Sequence, residues 1–510
     1  MAASEKHEGL RALLPYAAVF IVAAASRLIV AYVFLGCVDI VNDTVDSARM
    51  LDGTLLAARV PYLPGVHLLL WLGGQLAVWS GLPVAFCYKL FPCLFDSLIA
   101  VLIALWSTGR RSLRLGFVYA FAPVPVIIAG LHGQWDAVFL CFLILSIFFL
   151  RMDTRRGDLL AGAAFVLSVI AKPVAAPLLP FLFPAPWLLL GNRNARMRTV
   201  MLIAAMATTT AAYLLFLAAM HSPLGIAELR EIFSYAQHGV QLMGFRLFEH
   251  LPRMIGLVSL VILLPAYWLG RLSRERAILL FFAFVMGVCG TAPQYLSWIV
   301  PFAMLAGALV FNALYNLACG ITLLLFYQAP GFLGRNIENL GTYAPLRRFA
   351  WLAPSLTNLS EKDLLVFYGG DVIIPVIAIA FFLAALFRIA RPQPLVIAPP
   401  TPLQRRALGS GVLVVAAVLG VCCIWAKLQP TISGDVLTKR VRSRIESEYW
   451  CVRYQEMNPL NSQAALWVLP SFVDPGIKAR PVNAFTIGVG WILIWTVVAF
   501  ATATRGETAT

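Results

Sequence analysis

The sequence predicts an all-α polytopic membrane protein, a bundle of about fourteen transmembrane helices with long outer loops and interfacial helices. Of the 510 residues, 61% are hydrophobic and only 12% are charged, whereas a soluble domain has about 45–50% and 25%. The mean hydropathy is +0.83, and arginine-rich turns interrupt the apolar runs. So little charge cannot cover a water-soluble particle of this size, which excludes a soluble globular enzyme.

Basic residues concentrate in five short turns, and the positive-inside rule places these turns in the cytoplasm. The turns contain sixteen arginines but only two acids, Asp153 and Glu275. The arginines are Arg110, Arg111, Arg114, Arg151, Arg155, Arg156, Arg193, Arg196, Arg198, Arg271, Arg274, Arg276, Arg388, Arg391, Arg405 and Arg406. We therefore attribute the net charge of +15 to membrane topology and expect no nucleic-acid partner.

Each apolar run between polar segments is predicted to be one span. The spans lie near 12–36, 83–107, 115–131, 137–150, 158–172, 174–190, 198–220, 253–270, 277–293, 296–311, 313–330, 371–388, 408–427 and 486–504. The outer loops are then 37–82, 131–136, 221–252, 331–370 and 428–485.

The apolar stretch 65–80 is predicted to be a membrane-surface or re-entrant helix, because another span there would move the Arg110 turn to the outer side. Charges, prolines and aromatics mix in 428–485, which predicts a small extracytoplasmic cap. The predicted parts are a main transmembrane module (1–330), a further outer loop with spans (331–427), the cap (428–485), and a last span with a cytoplasmic tail (486–510).

Four acids lie directly after the first span: Asp39, Asp43, Asp46 and Asp52. A carboxylate just above the hydrocarbon, partly shielded from water, can have its pKa raised and accept a proton from a hydroxyl. The alternative is that these acids cap helices or solvate the loop.

The turn His132-Gly133-Gln134-Trp135-Asp136 is far more polar than a hairpin connection requires. Its imidazole, amide and carboxylate groups can bind sugar hydroxyls, with Trp135 as a stacking face or an interfacial anchor. A plain polar turn with an aromatic belt residue is the alternative.

Two cations lie at membrane depth. Lys172 ends a span just before Pro173, and Arg27 lies within the first span. A cation there is costly unless it snorkels or binds an anion, and for Arg27 the expected partner is a phosphate or an aspartate of the first loop.

A second polar junction is Pro293-Gln294-Tyr295, where the proline ends one helix and the next two side chains can face a polar ligand. A structural turn is the alternative. Asp96 lies inside a span, and we expect it to pair with an arginine or a backbone group in helix packing.

No nucleotide-binding or soluble-hydrolase motif is present, so any donor must reach the outer face already activated. The residues above resemble the GT-C superfamily of polyprenyl-phosphate-sugar-dependent glycosyltransferases, which includes bacterial enzymes and the dolichol-linked and GPI-anchor mannosyltransferases of eukaryotes. The resemblance spans roughly 27–182 and 291–303. It rests on the loop aspartates, Pro61-Tyr62-Leu63-Pro64, KLFPCLFDSLIAVL (89–102), the His132–Asp136 turn, Ala171-Lys172-Pro173 and Pro293–Trp298.

The resemblance implies that 1–330 is the catalytic module of an inverting glycosyltransferase. A sugar, expected to be mannose, leaves a polyprenyl phosphate on the outer face and is attacked by a hydroxyl of a lipid, glycan or protein acceptor. The implied general base is Asp43 first and Asp39 second, with Asp46 in support. Lys172, with Arg27 or Arg246, would neutralise the leaving phosphate.

The remaining substrate-binding residues implied are His132, Gln134, Trp135, Asp136, Gln294 and Tyr295. We expect no cofactor and no metal, because Asp39 and Asp43 without a further ligand form a weak site for a divalent ion. The expected location is a bacterial inner membrane, with the endoplasmic reticulum as the alternative.

Three other functions stay open: a flippase or transporter of lipid-linked sugars, an outer-face oligosaccharide ligase or polymerase, and a structural subunit. A transporter needs polar groups along a path near the midplane, whereas the polar residues here gather at one face. The product, one sugar or a whole glycan, separates a ligase from a monosaccharide transferase.

The predicted topology is testable with single-cysteine chains and a membrane-impermeant maleimide. A cysteine replacing Asp43 should be labelled from the outer side, and one replacing Arg155 only after permeabilisation. Labelling of both from the same side would contradict the assignment.

Overall fold

The structure, a computed structural model, describes residues 2–33, 64–80, 82, 84–106, 110–219, 252–288, 293–327, 373–389, 401 and 481–504. All regular structure within these ranges is helical, which confirms the all-α class for this part of the chain. Predicted features that lie outside the described residues are Asp39, Asp43, Asp46, Arg246, the span 408–427 and most of the cap.

Fifteen α-helices are present in the described ranges, joined in places by other helical turns. They are α1 (Ala2–Val33), α2 (Pro64–Ser80), α3 (Val84–Ala104), α4 (Arg110–Ala120), α5 (Pro123–Val126), α6 (Asp136–Leu150), α7 (Arg155–Ala171), α8 (Pro186–Gly191), α9 (Arg193–Ala219), α10 (Pro252–Trp268), α11 (Arg274–Val288), α12 (Ile299–Leu305), α13 (Leu309–Tyr327), α14 (Ile374–Ile389) and α15 (Pro481–Thr504). The other turns are the π-helical turn Ile127–His132 and the 3-10 segments Pro173–Leu182 and Pro293–Ser297.

Three of these helices are long and apolar enough to cross a membrane, at Leu13–Tyr32, Phe86–Ala104 and Arg193–Leu215. A fourth candidate is the pair Ser112–Ala120 and Pro123–His132, which is bent by 45°. Membrane-spanning character is thus supported, whereas the count of about fourteen spans stays a prediction. The stretch predicted as an interfacial or re-entrant helix, 65–80, is helical (α2) and packs on α3.

Three of the predicted spans are not single straight helices, two of them because of prolines and one because of a turn at a glycine. Ala122 precedes Pro123 and is extended (φ −61°, ψ 126°), because a proline ring disfavours the helical conformation of the residue before it. The predicted span 115–131 is consequently bent. Span 174–190 is wrong as one helix, since Pro173–Leu182 forms a 3-10 segment followed by the six-residue α8. Span 296–311 is also wrong, because α12 has only seven residues and the chain turns at Gly307 (φ 73°).

Four of the predicted cytoplasmic turns meet at one end of the bundle, here called the basic end. Arg151 donates to the carbonyl of Trp106 at 2.6 Å, and Arg198 binds both oxygens of Asp158 at 2.8–3.1 Å. Arg274 donates to the carbonyl of Phe181 at 2.7 Å. Burial lowers the pKa of Arg151 to about 10, and the nearby Glu275 carboxylate acts in the opposite direction.

A buried ion pair joins α1 and α3, as expected for Asp96. The Arg27 guanidinium, fully buried, donates to Asp96 at 2.5 Å. It also donates to the carbonyls of Tyr119 and Ala120 at 3.3 and 2.6 Å. These carbonyls belong to the last two residues of α4, just before the break in the helix at Pro123. The Tyr119 hydroxyl completes the network by donating to Asp96 at 2.7 Å.

This pair should be a main determinant of stability. Replacing Arg27→Met leaves a buried carboxylate without its cation, so we expect a loss of about 3–5 kcal/mol. The double variant Arg27→Met/Asp96→Asn removes both charges and should recover part of that loss. Unfolding of the purified chain in detergent measures both values.

The control is Arg114→Met, since Arg114 is exposed on α4 and its loss should change stability by less than about 0.5 kcal/mol. A double variant no more stable than Arg27→Met alone would contradict the electrostatic explanation.

Candidate functional site

The candidate site lies opposite the basic end, where α1 ends. The carbonyl of Arg27 and the side chain of Val30 pack against Gly130, and a Cβ at Gly130 would lie only 2.8 Å from that carbonyl. This close approach holds the π-helical turn Ile127–His132 against the last turns of α1. The sequence predicted the end of α1 and the His132–Asp136 turn on the same side, and the structure brings them together.

The local backbone orients the polar turn. The π-helix ends at Gly133, which adopts the left-handed conformation (φ 76°, ψ 24°) that a residue with a side chain rarely takes. The carbonyl of Ile128 accepts the amides of both Gly133 and Gln134, at 2.9 and 3.2 Å. His132 and Gln134 are thereby folded toward each other, and their Nε2 atoms lie 3.0 Å apart. Both residues are buried.

A proline also positions Lys172. Because it precedes Pro173, Lys172 is extended (φ −155°, ψ 119°) and α7 ends at Ala171. The side chain then reaches Asp136, the first residue of α6, with Nζ 2.7 Å from Oδ1. The ammonium is 13% exposed and the carboxylate is fully buried. The anion that the sequence predicted for Lys172 is therefore supplied, at least in part, by Asp136.

Asp136 is the centre of the site. Its Oδ1 accepts from Lys172 and also from the indole Nε1 of Trp298. Its Oδ2 is buried and has no hydrogen-bond partner in the structure as described. An unsatisfied buried carboxylate oxygen is uncommon and costly, because burial removes the water that would otherwise bind it.

Aromatic rings enclose the ion pair on one side. Lys172 Nζ lies 4.8 Å from the ring centre of Tyr295 and 5.3 Å from that of Trp298. The two rings are 4.4 Å apart. Trp298 packs in turn on Phe139 and Phe282 at 5.6 and 5.5 Å. A cation over aromatic faces is attracted by the ring quadrupole, so the rings hold Lys172 beside Asp136.

The Gln294–Tyr295 junction belongs to the same site. Both side chains are half-buried and lie on the 3-10 segment Pro293–Ser297. The Ser297 hydroxyl donates to the Gln294 carbonyl at 2.8 Å, which satisfies this carbonyl within the 3-10 segment. The predicted residues His132, Gln134, Asp136, Lys172, Gln294 and Tyr295 therefore gather at one end of the bundle.

Two predicted binding residues do not fit this arrangement. Arg27 directs its donors at Asp96 and at backbone carbonyls, so its role here is structural and a phosphate-binding role is not supported. Trp135 is buried and stacks on Phe91 with ring centres 6.3 Å apart. Trp135 is therefore a core side chain, and it is neither an exposed stacking face nor an interfacial anchor.

Sequence reasoning gave no role to two residues near the site. Trp298 supplies a donor to Asp136, and its position three residues after Tyr295 was the available signal. Lys89, a fully buried lysine on α3, lies one turn from Cys93, whose thiol donates to the carbonyl of Ala129 at 3.4 Å. A lysine within a predicted span was the signal in that case.

No group of three or more potential metal ligands occurs in the described ranges. The predicted absence of a metal remains a prediction, because Asp39 and Asp43 fall outside those ranges.

The chain matches no family model, no curated protein and no solved structure. The resemblance to GT-C enzymes thus rests on the residues quoted above.

The left-handed conformation of Gly133 allows the structure of the His132–Asp136 turn to be tested. Gly133→Ala should cost about 1–2 kcal/mol, because a Cβ at this φ approaches the following carbonyl oxygen. Unfolding in detergent measures the loss. The matched control is Gly191→Ala, since a Cβ at Gly191 meets nothing within 4 Å. Equal stability of the two variants would contradict the proposed constraint.

Proposed function

We propose that this chain is an integral membrane glycosyltransferase that moves one sugar, mannose in our expectation, from a polyprenyl phosphate to an acceptor hydroxyl on the extracytoplasmic face. The acceptor belongs to a lipid, a glycan or a protein. The preferred location is a bacterial inner membrane, and the endoplasmic reticulum is the alternative.

The observation that carries the proposal is the convergence of Asp136, Lys172, Tyr295 and Trp298 at the end of the bundle opposite the basic end. Sugars present many hydroxyl groups together with apolar C–H faces, so proteins bind them with carboxylate, amide and aromatic groups. The His132–Gln134 pair adds an amide and an imidazole to this set. The acid-rich segment with Asp39, Asp43 and Asp46 follows α1 directly in the sequence.

The chemistry is a single displacement at the anomeric carbon. The acceptor oxygen forms a bond to that carbon while the bond to the phosphate oxygen breaks, and the configuration inverts. The proton of the acceptor hydroxyl passes to a loop aspartate, Asp43 first and Asp39 second, with Asp46 in support. The bonding electrons leave with the polyprenyl phosphate, and no metal or cofactor takes part in the proposal.

Lys172 lies in this end of the bundle and supplies positive charge near the leaving phosphate. Since Asp136 already balances part of that charge, a further cation is required. Arg246 is the candidate, from the resemblance.

A transporter of lipid-linked sugars is the main competing function. Among the described residues, ion pairs occur near the two ends of the bundle and between α1 and α3. The pair between α1 and α3 consists of Arg27 and Asp96, which neutralise each other. A path of free polar groups across the midplane is not seen among the described helices, which favours transfer at one face.

The test uses the purified chain in liposomes with a radiolabelled polyprenyl-phosphate sugar and an acceptor extract. Asp43→Asn should reduce transfer by at least about 100-fold, because amides do not accept the proton. Asp39→Asn is tested in parallel, since it is the second candidate.

Asp52→Asn is the matched control, because it is an acid of the same segment without an assigned role, and it should keep most activity. Transfer that survives Asp39→Asn and Asp43→Asn would overturn the assignment of the base. Movement of the donor across the bilayer without any glycosylated product would favour the transporter.

A further inference from the structure

The two oxygens of Asp136 are unequal. Oδ1 accepts hydrogen bonds from Lys172 at 2.7 Å and from Trp298, while Oδ2 has no partner among the described residues although Asp136 is fully buried. A carboxylate offers about four lone-pair positions, and leaving a buried carboxylate oxygen without a donor is costly. Asp136 is the first residue of α6. Its carboxylate is held in place by Lys172, which Pro173 positions, and by the rings of Tyr295 and Trp298.

We propose that Asp136 Oδ2 accepts a hydrogen bond from one hydroxyl of the transferred sugar, and that Lys172 and Trp298 are positioning residues that fix the carboxylate for this purpose. This inference rests on the proposed function and adds a specificity-determining contact to it. Because Oδ2 can only accept, the group that it binds must be a donor such as a hydroxyl.

The arrangement explains why both positioning donors converge on Oδ1. The salt bridge from Lys172 and the hydrogen bond from Trp298 together restrict the rotation of the carboxyl group about its last bond. The indole is itself held by packing on Phe139 and Phe282. The carboxylate is thereby restrained, and in the proposal only one hydroxyl of the sugar reaches Oδ2. Hydrogen bonds to a preorganised charged group give strong discrimination between substrates.

The experiment compares polyprenyl-phosphate mannose with donors that lack one hydroxyl or carry fluorine in its place, at carbons 3, 4 and 6. For the wild-type chain we expect one deoxy donor to lose about 10- to 100-fold in kcat/KM. The fluoro donor at the same carbon should lose at least as much, since fluorine cannot donate a hydrogen bond. A fluoro donor accepted as well as the parent sugar at every position would overturn the inference without any mutation.

The variant arm uses Asp136→Asn, in which one oxygen remains for Lys172 and Trp298 and an amide replaces Oδ2. It should lower activity on all donors and reduce the discrimination at the sensitive carbon to about threefold or less. The matched control is Asp158→Asn, another buried, ion-paired aspartate, which lies at the basic end and should keep the wild-type discrimination.

Discrimination retained in Asp136→Asn would overturn the inference, as would equal transfer of all deoxy donors by the wild-type chain. Absence of transfer from every donor by the folded wild-type chain would instead overturn the proposed function, and this inference with it. If Asp136→Asn does not fold, the inference is tested by the wild-type chain alone, through its relative activity on the fluoro and hydroxyl donors.

Discussion

The architecture depends on the buried guanidinium of Arg27. It neutralises Asp96 on α3 and donates to the carbonyls of the last two residues of α4, which stops before Pro123. One side chain thus secures three segments that apolar packing alone would not align. The π-helical turn that carries His132 packs directly on the backbone of the same residue. The Arg27–Asp96 ion pair therefore helps to fix the geometry of the candidate site, although it takes no part in binding.

The gathering of polar residues at one end could be predicted from the sequence, because alternation of spans assigns a side to every loop. His132, Lys172 and Gln294 followed from that reasoning. The pairing of Asp136 with Lys172 was not predicted, although Asp136 begins α6 and Lys172 follows the end of α7, the next helix, so that an antiparallel hairpin brings the two residues together. The predicted span boundaries were wrong where prolines, or the turn at Gly307, interrupt an apolar run. Hydropathy counts apolar residues and does not test whether they form one regular helix.

The cations illustrate a second limit of sequence reasoning. Arg27 and Lys172 were both expected near a phosphate, and each has a carboxylate partner in the structure. In an apolar medium a charge without a partner is expensive, so neutral pairs are favoured whatever their purpose. Sequence alone reveals that a cation is present at depth, but only the structure separates a charge balanced by the fold from one that a ligand must balance.

The short helix α12 has a consequence for biogenesis. It ends at a turn whose amides are satisfied locally, with Ala306, Gly307 and Ala308 donating to carbonyls of α12 at 2.8–3.1 Å. Hydrogen bonds within the hairpin lower the cost of placing these three amides among apolar groups. We therefore expect α12 and α13 to leave the translocation machinery together, as one hairpin.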